Sequence, residues 1–348
     1  MEVTKYEIDM LDVKNADAFL VHFWDDETNY EYVVLIDGGN YEDGKTIASF
    51  VKNNYTQKSI DLAICSHCDK DHFGGLVYLL EQQRDNDDDN MNISQIWVTD
   101  PSNHISLGQV KWITSRWTLN VKARSVYDLD EKRNLLDIIE QIPNIKCYEP
   151  FSDANINKQT KGCANGLFSI VGPSIEYYES LVLDFRNDLK RKKNGYDSDE
   201  SQEQKTELRR GKAFSQTLAD ADDDPSPHNR SSVILLFQPS DGKKFLFMGD
   251  ACRDSIDNLI NCEHIKNVDW LKVPHHGSKH NLDNDMINYI HPKFAYISTE
   301  KYGHYLSKAV VNTLKQIGTK VYSTNTNGAM CYHQNTATHS GYSTATPL

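Results

Sequence analysis

Residues Ser66–Gly75 read Ser-His-Cys-Asp-Lys-Asp-His-Phe-Gly-Gly, and five of these ten side chains can bind a metal or exchange protons. An apolar run of strand length, residues 59–65, precedes the stretch, and a helix-like pattern, residues 74–80, follows it. Because the chain is anchored on both sides, the ligands can converge on one point. Alternation along an extended segment puts side chains 67, 69 and 71 on one side, and the adjacent Asp71 and His72 reach a second centre. The spacing predicts a site for two metal ions, with Cys68 pointing away from it.

The string His67-x-Asp69-x-Asp71-His72 resembles the His-x-His-x-Asp-His signature of the metallo-β-lactamase superfamily, with Asp69 in place of the second histidine. That replacement resembles the branch that includes the soluble hydrolase domain of the DNA-uptake competence protein ComEC. Four more segments resemble the same branch in the expected order, namely Met10–Val21, Val33–Gly39, Phe245–Asp250 and Leu271–Ser278. Lys14 and Ala16 stand where the branch usually has glycine, which sets this turn apart from the usual one.

The order of strand-like and helical patterns predicts the architecture. Strand-like runs come in two batches, each followed by helical patterns, which favours an α/β fold built as an αβ/βα sandwich of two facing mixed sheets with outer helices. This is also the metallo-β-lactamase fold that the resemblance implies. We expect a single domain over residues 1–330, with inserted segments at about 84–93 and 181–227. The tail, residues 331–348, is rich in Thr, Ser and His, and we expect it to be weakly ordered.

The resemblance implies a role for each matched ligand. His67 and Asp69 would hold one metal ion, Asp71, His72 and His276 the other, and Asp250 would bridge the two. A hydroxide between the ions would be the nucleophile, with Asp71 part of the catalytic group. Asp37, at the end of its strand, would orient a ligand. Because Asp69 makes the first site richer in oxygen, we expect two divalent ions, either Zn²⁺ or Mn²⁺.

Three further groups are candidates for the site. Either His228 or Asn229 would complete the first metal centre, since both stand where the family supplies one more ligand. His275 and His276 are neighbours at a strand end and so should point apart, which leaves His275 to contact the substrate or a nearby carboxylate. His304 lies in a Tyr-Gly-His segment similar to one in the branch, and we expect it to protonate a leaving oxygen or contact phosphate.

Charge and composition limit the possible partners. The 348 residues include 37 Lys and Arg against 50 Asp and Glu, a net charge of −13 that argues against a broad polyanion-binding surface. Several basic side chains nevertheless flank the site motifs: Lys272, Lys279, His280, Lys301 and Lys308. We expect the N-terminal residues to form an amphipathic strand rather than a signal peptide, and these 348 residues contain no apolar run of about 18 residues, so we expect no membrane partner. Seven cysteines without framework spacing favour a reducing compartment, and we expect a cytoplasmic protein.

These features favour a metal-dependent hydrolase, in particular a two-metal phosphodiesterase or nuclease acting on nucleic acid or another phosphodiester. Such an enzyme could serve antiviral defence, that is, defence against foreign nucleic acid, alone or with protein partners in a multi-subunit system. One alternative is a hydrolase of a small ester, lactone or amide, which the acidic charge mildly favours. A second alternative is a metal-stabilised binding subunit without catalytic activity, although a purely structural site has no need for open metal positions.

Overall fold

The computed structural model describes residues 1–86, 91–104, 135–154, 166–185, 218, 221–257, 259, 262–300, 305–337, 339, 342 and 344–348. Within these residues the strands form a seven-stranded and a six-stranded sheet.

The seven-stranded sheet, sheet A, has the order β13-β1-β2-β3-β4-β5-β6. Its strands β13, β1, β2 and β3 pair antiparallel, whereas β3, β4, β5 and β6 pair parallel. The bounds are β1 (Lys5–Met10), β2 (Phe19–Trp24), β3 (Glu31–Ile36), β4 (Ile60–Ile64), β5 (Ile93–Trp97), β6 (Lys146–Tyr148) and β13 (Met330–Gln334).

The six-stranded sheet, sheet B, has the order β12-β11-β10-β9-β8-β7. Here β7, β8 and β9 pair antiparallel, and β9 to β12 pair parallel. The bounds are β7 (Phe168–Gly172), β8 (Ile234–Phe237), β9 (Phe245–Phe247), β10 (Trp270–Lys272), β11 (Phe294–Ile297) and β12 (Lys320–Ser323).

The helices lie between the strands. They are α1 (Asp43–Asn54), α2 (Lys70–Asp85), α3 (Leu135–Gln141), α4 (Ile175–Val182), α5 (Pro227–Arg230), α6 (Arg253–Asp257), α7 (Asn284–Ile290), α8 (Lys308–Gln316) and α9 (Thr324–Asn327). Three 3₁₀ turns, Pro101–His104, Glu263–Ile265 and His275–Gly277, complete the described elements. Among the described residues, no helix is both long and apolar enough to cross a lipid bilayer.

Three apolar cores stack the elements into four layers. The middle core lies between the sheets, where Tyr6 of β1 contacts Phe237 of β8 and Phe19 of β2 contacts Trp270 of β10, with ring centroids 5.7 and 6.1 Å apart. The second core joins the opposite face of sheet A to α1, α2 and α3, and the third joins sheet B to α7 and α8. Strand alternation produces this arrangement, because successive side chains face opposite sides of a sheet. The predicted αβ/βα sandwich is therefore confirmed.

One expectation about the tail is wrong. Residues 331–348 were expected to form a weakly ordered tail, but residues 331–334 belong to β13, which pairs antiparallel with β1. The reason is that β1 would otherwise leave an unpaired edge of sheet A, and β13 covers it. The predicted insertions at 84–93 and 181–227 lie partly outside the described residues, which omit 87–90, 186–217, 219 and 220.

Candidate metal centre

The potential ligands gather where strands of both sheets end. Asp37 follows β3, His67 follows β4 and Asp250 follows β9, while His276 follows β10. Helix α2 begins at Lys70, so Asp71 and His72 lie in its first turn. Carboxyl ends of neighbouring parallel strands share one edge of a sheet, and the two sheets bring their edges together here.

Four side chains converge on one point. Asp71, His72, Asp250 and His276 each offer one ligand atom, and these atoms all lie within 4.8 Å of one another. His72 Nε2 is 3.3 Å from Asp250 Oδ2, and His276 Nε2 is 3.5 Å from Asp71 Oδ2. His72, Asp250 and His276 are buried, whereas Asp71 is half-buried. The structure thus assembles all four residues that the resemblance assigned to the second metal and the bridge.

Asp37 sets the orientation of two histidines. Its Oδ2 is 2.9 Å from His72 Nδ1 and 2.7 Å from the hydroxyl of Ser66, whose Oγ lies 3.1 Å from His67 Nδ1. A carboxylate only accepts, so His72 Nδ1 donates to Asp37; the Ser66 hydroxyl also donates to Asp37 and can accept from His67 Nδ1. In the neutral rings both Nε2 atoms then carry a lone pair. These are the contacts that the orienting role predicted for Asp37 requires.

His276 is oriented by the backbone. Its Nδ1 lies 2.9 Å from the carbonyl oxygen of Ser298, which can only accept a hydrogen bond. The proton therefore sits on Nδ1, and the Nε2 lone pair faces Asp71. Hydrogen bonds of this kind to the far ring nitrogen are the usual companions of metal-binding histidines.

The donor atoms fit divalent cations. The Nε2 atoms of His67, His72 and His276 are buried and make no hydrogen bond within the described part of the chain. Burial acts to lower the pKa of His72, but Asp250, Asp71 and Asp37 outweigh it and hold that pKa well above its ordinary value, so that without a metal ion Nε2 takes up a proton. Buried nitrogen atoms facing an excess of carboxylates attract positive charge, and a divalent cation would displace that proton.

A second group lies beside the first. His67 Nε2 is 3.7 Å from Asp69 Oδ2 and 3.9 Å from Asp250 Oδ2, and His228 Nδ1 is 3.2 Å from Asp69 Oδ1. Cys68 joins this group, since ligand atoms of Cys68, Asp69 and His228 lie within 4.8 Å of one another. Although burial acts to lower it, the pKa of His228 is raised to about 10 by its neighbours Cys68 and Asp69. The expectation that Cys68 points away is wrong, because the loop bends before α2 and strand alternation does not apply to it.

Asn229 is bound to Asp224, a carboxylate that also lies beside His275. Its side-chain amide donates to Asp224 Oδ2 at 2.8 Å, whereas it is the neighbouring His228 that meets Asp69. Asp224 Oδ2 in turn lies 3.2 Å from His275 Nδ1, and Asn281 Oδ1 lies 3.0 Å from the same nitrogen. Burial acts to raise the pKa of Asp224, but His275 outweighs it and the pKa is held below its ordinary value.

The two adjacent histidines do not point apart. His275 and His276 have φ angles of 45° and 52°, so they form a left-handed turn rather than a strand end. Both rings therefore reach the site, with His275 Nε2 3.9 Å from Asp250 Oδ2. The alternation rule failed because β10 stops at Lys272, before the histidines. His275 is bound by a carboxylate and also faces the centre.

Asp17 and Lys272 form a buried ion pair beneath the site. The sequence did not predict that these two residues pair. Lys272 Nζ pairs with Asp17, donates to the carbonyl oxygen of Gly249 at 2.7 Å and lies 3.5 Å from Asp250 Oδ1. Burial acts to lower the pKa of Lys272, but Asp17 and Asp250 outweigh it and raise it. Lys272 thus offsets the negative charge of Asp17 and Asp250, and because its side chain is buried it cannot contact a phosphate of the substrate. An aspartate within the apolar run Ala16–Val21 was the available signal for Asp17.

Two glycines set the position of α2. A Cβ at Gly75 would overlap the carbonyl oxygen of Gly38, and a Cβ at Gly38 would come within 2.6 Å of Leu76 N. Only glycine permits this approach of the helix to the loop after β3. The approach brings His72 to Asp37.

The region of His304 is only partly described. His304 and Lys301 lie outside the described residues. Tyr305, where the branch usually has proline, is described, and its ring centroid lies 4.8 Å from that of His275 and 5.6 Å from that of His276. Tyr305 therefore forms part of the wall beside both histidines.

Parts of the chain are similar to known proteins. Residues 14–87 match the metallo-beta-lactamase superfamily. The chain is 31% identical over 111 residues to ComE operon protein 3 of Bacillus subtilis (strain 168), which covers 31% of this chain and 14% of that relative. Among solved structures, a long form RNase Z from yeast is similar over 85% of this chain and 38% of its own, with 12% identity and a TM-score of 0.36, a likeness too distant to bear on function.

Proposed function

We infer that the chain is a metal-dependent hydrolase of the metallo-beta-lactamase superfamily, because residues 14–87 match that superfamily and part of the chain is similar to ComE operon protein 3, and we propose that it is a two-metal phosphodiesterase. The observation that carries the proposal is the convergence of Asp71, His72, Asp250 and His276, with the buried histidine Nε2 atoms left without hydrogen bonds in the described structure.

The residues divide between two centres that share Asp250. We assign Asp71, His72 and His276 to one centre, and His67, Asp69 and His228 to the other, where Cys68 is also within reach. We assign His228 rather than Asn229 to this centre because His228 contacts Asp69. The side-chain amide of Asn229 is instead hydrogen-bonded to Asp224. Divalent ions held there would supply Lewis-acid activation of a phosphoryl group and of the attacking water.

The protein's own groups orient the reaction. Asp37 and Ser298 fix the protons on the Nδ1 atoms, so that the Nε2 lone pairs face the centre. Asp224 and Asn281 hold His275 by its Nδ1, which presents Nε2 to a substrate lying over Asp250. Holding each group in place before the substrate arrives lowers the reorganisation needed in the transition state.

Nucleic acid is the substrate class we propose. The match to ComE operon protein 3 covers only 14% of that relative, so the relative does not identify the substrate. We infer the substrate from chemistry, because a pair of divalent ions suits an in-line attack on a phosphodiester. Lys279 follows His276 by three residues and is half-buried, and we expect its ammonium group to contact a phosphate of the nucleic-acid backbone. We also propose that the protein acts in the cytoplasm against foreign nucleic acid, alone or as one subunit of a multi-protein system.

The test is cleavage of single- and double-stranded DNA and RNA, with Mn²⁺ and Zn²⁺ supplied separately. Wild type should cleave, and Asp71→Asn and Asp250→Asn should each lose more than about 100-fold, since even outer-shell partners are worth about 10–100-fold. Asp285→Asn, an exposed aspartate in α7, is the matched control and should keep full activity. Unchanged cleavage by Asp71→Asn and Asp250→Asn would contradict the proposal.

A small-molecule ester, lactone or amide hydrolase is the second candidate. The net charge of −13 favours it, because a phosphodiester polyanion is repelled by an acidic surface. A further variant distinguishes the two: Lys279→Glu should weaken cleavage of nucleic acid and leave lactone hydrolysis nearly unchanged. Lactone hydrolysis without any cleavage of nucleic acid would establish this second candidate.

A further inference from the structure

A second cluster of potential ligands lies on the helix-facing side of sheet A and shares no residue with the candidate metal centre. In β1, the side chains of Tyr6, Ile8 and Met10 enter the core between the sheets, so Glu7 and Asp9 face the opposite side. Pairing with β13 puts Cys331 directly across from Asp9, and pairing with β2 puts His22 across from Glu7. Side chains opposite each other on paired strands share a face.

The tail adds a histidine to this cluster. His339 Nε2 lies 3.0 Å from Glu7 Oε1 and 3.4 Å from Asp9 Oδ2, and the three ligand atoms lie within 4.8 Å of one another. Two more groups hold the carboxylates in place, because His22 Nδ1 is 2.7 Å from Glu7 Oε1 and the Tyr55 hydroxyl donates to Asp9 Oδ2 at 2.6 Å. The Asp9 carboxylate also contributes, after burial, to raising the pKa of the Cys331 thiol, which reflects their proximity.

The second carboxylate oxygen of Asp9 provides an independent observation. Asp9 is fully buried, and its Oδ1 makes no hydrogen bond within the described part of the chain. Glu7, its neighbour on the same face, is also buried, at 1% exposure. Two buried carboxylates side by side are unfavourable unless positive charge or coordination offsets them.

We propose that Glu7, Asp9, Cys331 and His339 form a separate binding site for a divalent cation of the Zn²⁺ type. Thiolate, imidazole and carboxylate together are the donor set that Zn²⁺ prefers, and four such ligands complete a structural site. The bound ion joins β1 to β13 and to the tail at His339. The site therefore stabilises the edge of sheet A and takes no part in hydrolysis.

The test counts metal ions without using activity. The triple variant Asp69→Asn/Asp250→Asn/His276→Gln removes a ligand from each catalytic centre and the residue they share; loaded with Zn²⁺ and dialysed, it should retain about one tightly bound ion per chain, as a complete structural site does. Adding Cys331→Ser or His339→Gln to it should remove that ion. Circular dichroism on each variant verifies the fold, and the two separate substitutions guard against one of them failing to fold.

Co²⁺ serves as a spectroscopic probe of the thiolate. In wild type loaded with Co²⁺, Cys331→Ser should abolish the thiolate charge-transfer band contributed by this cluster, and Cys68→Ser should leave that part of the band in place. If Cys331→Ser and His339→Gln keep the same metal content and the same band as their parents, the proposal is overturned. Failure of the nuclease assay alone leaves these counts unaffected, so the two proposals fail separately.

Discussion

Asp37 shows how one carboxylate can determine the chemistry of several residues. Its oxygens bind His72 directly and reach His67 through Ser66. In Asp37→Asn, the amide can donate to His72 Nδ1 and so move that ring's proton to Nε2, where it blocks coordination. We expect metal affinity and kcat/KM to fall about 10–100-fold. Titration with Zn²⁺ and steady-state kinetics measure both, and wild-type values in Asp37→Asn would refute the orienting role.

Lys272 and Asp17 form a buried pair whose energetics can be separated. Lys272→Met leaves the Asp17 carboxylate buried without its cation, and we expect a loss of about 3–5 kcal/mol in the free energy of unfolding. Asp17→Asn/Lys272→Met removes both charges, so it should be more stable than Lys272→Met alone. Denaturant unfolding of the metal-free proteins measures each value. A double variant less stable than Lys272→Met would show that the pair is not the cause.

The site was predictable from sequence to the extent that its residues occur in local patterns. His67, Asp69, Asp71 and His72 lie in one short string, Asp250 ends one matched segment, and His276 lies near the end of another. Asp224 gave no signal, because it is one of three consecutive aspartates and its contact with His275 depends on tertiary packing. The orientation of His275 could not be predicted, since it depends on where β10 stops.

At the scale of elements, the packing of α2 against the loop after β3 places the first turn of the helix. Gly75→Ala should improve helix propensity by about 1 kcal/mol, but the overlap with the Gly38 carbonyl should outweigh it and destabilise the fold by about 2 kcal/mol or more. Metal affinity should fall too, because displacing α2 would move His72 away from Asp37.

Gly172→Ala is the matched control for that change. Its added Cβ would meet Leu259 Cδ1 at 3.5 Å and Ile234 Cδ1 at 3.7 Å, which are ordinary contacts. We expect a change within about 1 kcal/mol. Thermal unfolding of both variants measures the difference, and equal effects at the two glycines would contradict the close approach of α2.

A histidine links three elements on the helix side of sheet A. His104, in the 3₁₀ turn Pro101–His104, lies 3.1 Å from Glu149 Oε1 and 3.3 Å from Glu179 Oε1 of α4. Burial acts to lower its pKa, but the two carboxylates outweigh it and raise that pKa above the model-compound value of 6.5. The raised pKa means that the interaction stabilises the fold fully below about pH 6.5 and is lost as pH rises through the folded-state pKa.

His104→Gln tests this dependence on pH. With chelator present throughout, it should lower stability by about 1–2 kcal/mol near pH 6, where the histidine is charged and both carboxylates are ionised. The difference from wild type should shrink as the pH rises. Thermal unfolding over a series of buffers measures it, and a difference independent of pH would mean that charge plays no part.

The elements themselves were largely predictable, because period-two apolar patterns gave the strands and their order gave the two sheets. β13 was not predictable in this way: Met330–Gln334 is polar at several positions and gains its structure from pairing with β1. Lys14 illustrates another limit, since it adopts a φ of 64° at a position where the branch usually has glycine. There, contacts with distant residues hold the turn, including the Ser298 hydroxyl on the Ala16 carbonyl.

For the whole molecule, the metal centre joins the two halves of the sandwich. Sheet A and α2 supply His67, Asp71 and His72, while sheet B supplies Asp250 and His276. Metal removal should therefore loosen the contact between the halves. At a free metal concentration about a hundredfold above the dissociation constant, binding adds about 2.7 kcal/mol of stability. Chelator should lower the unfolding temperature, and Zn²⁺ or Mn²⁺ should restore it; an unfolding temperature unmoved by chelator would contradict this coupling.

Anomalous scattering from crystals grown with Mn²⁺ or Zn²⁺ is the measurement that tests the central claim most directly. The account predicts two neighbouring peaks that share Asp250, one contacted by Asp71, His72 and His276 and the other by His67, Asp69 and His228. Asp250→Asn should weaken both peaks. A single peak in this region, or none at saturating metal, would contradict the two-metal assignment.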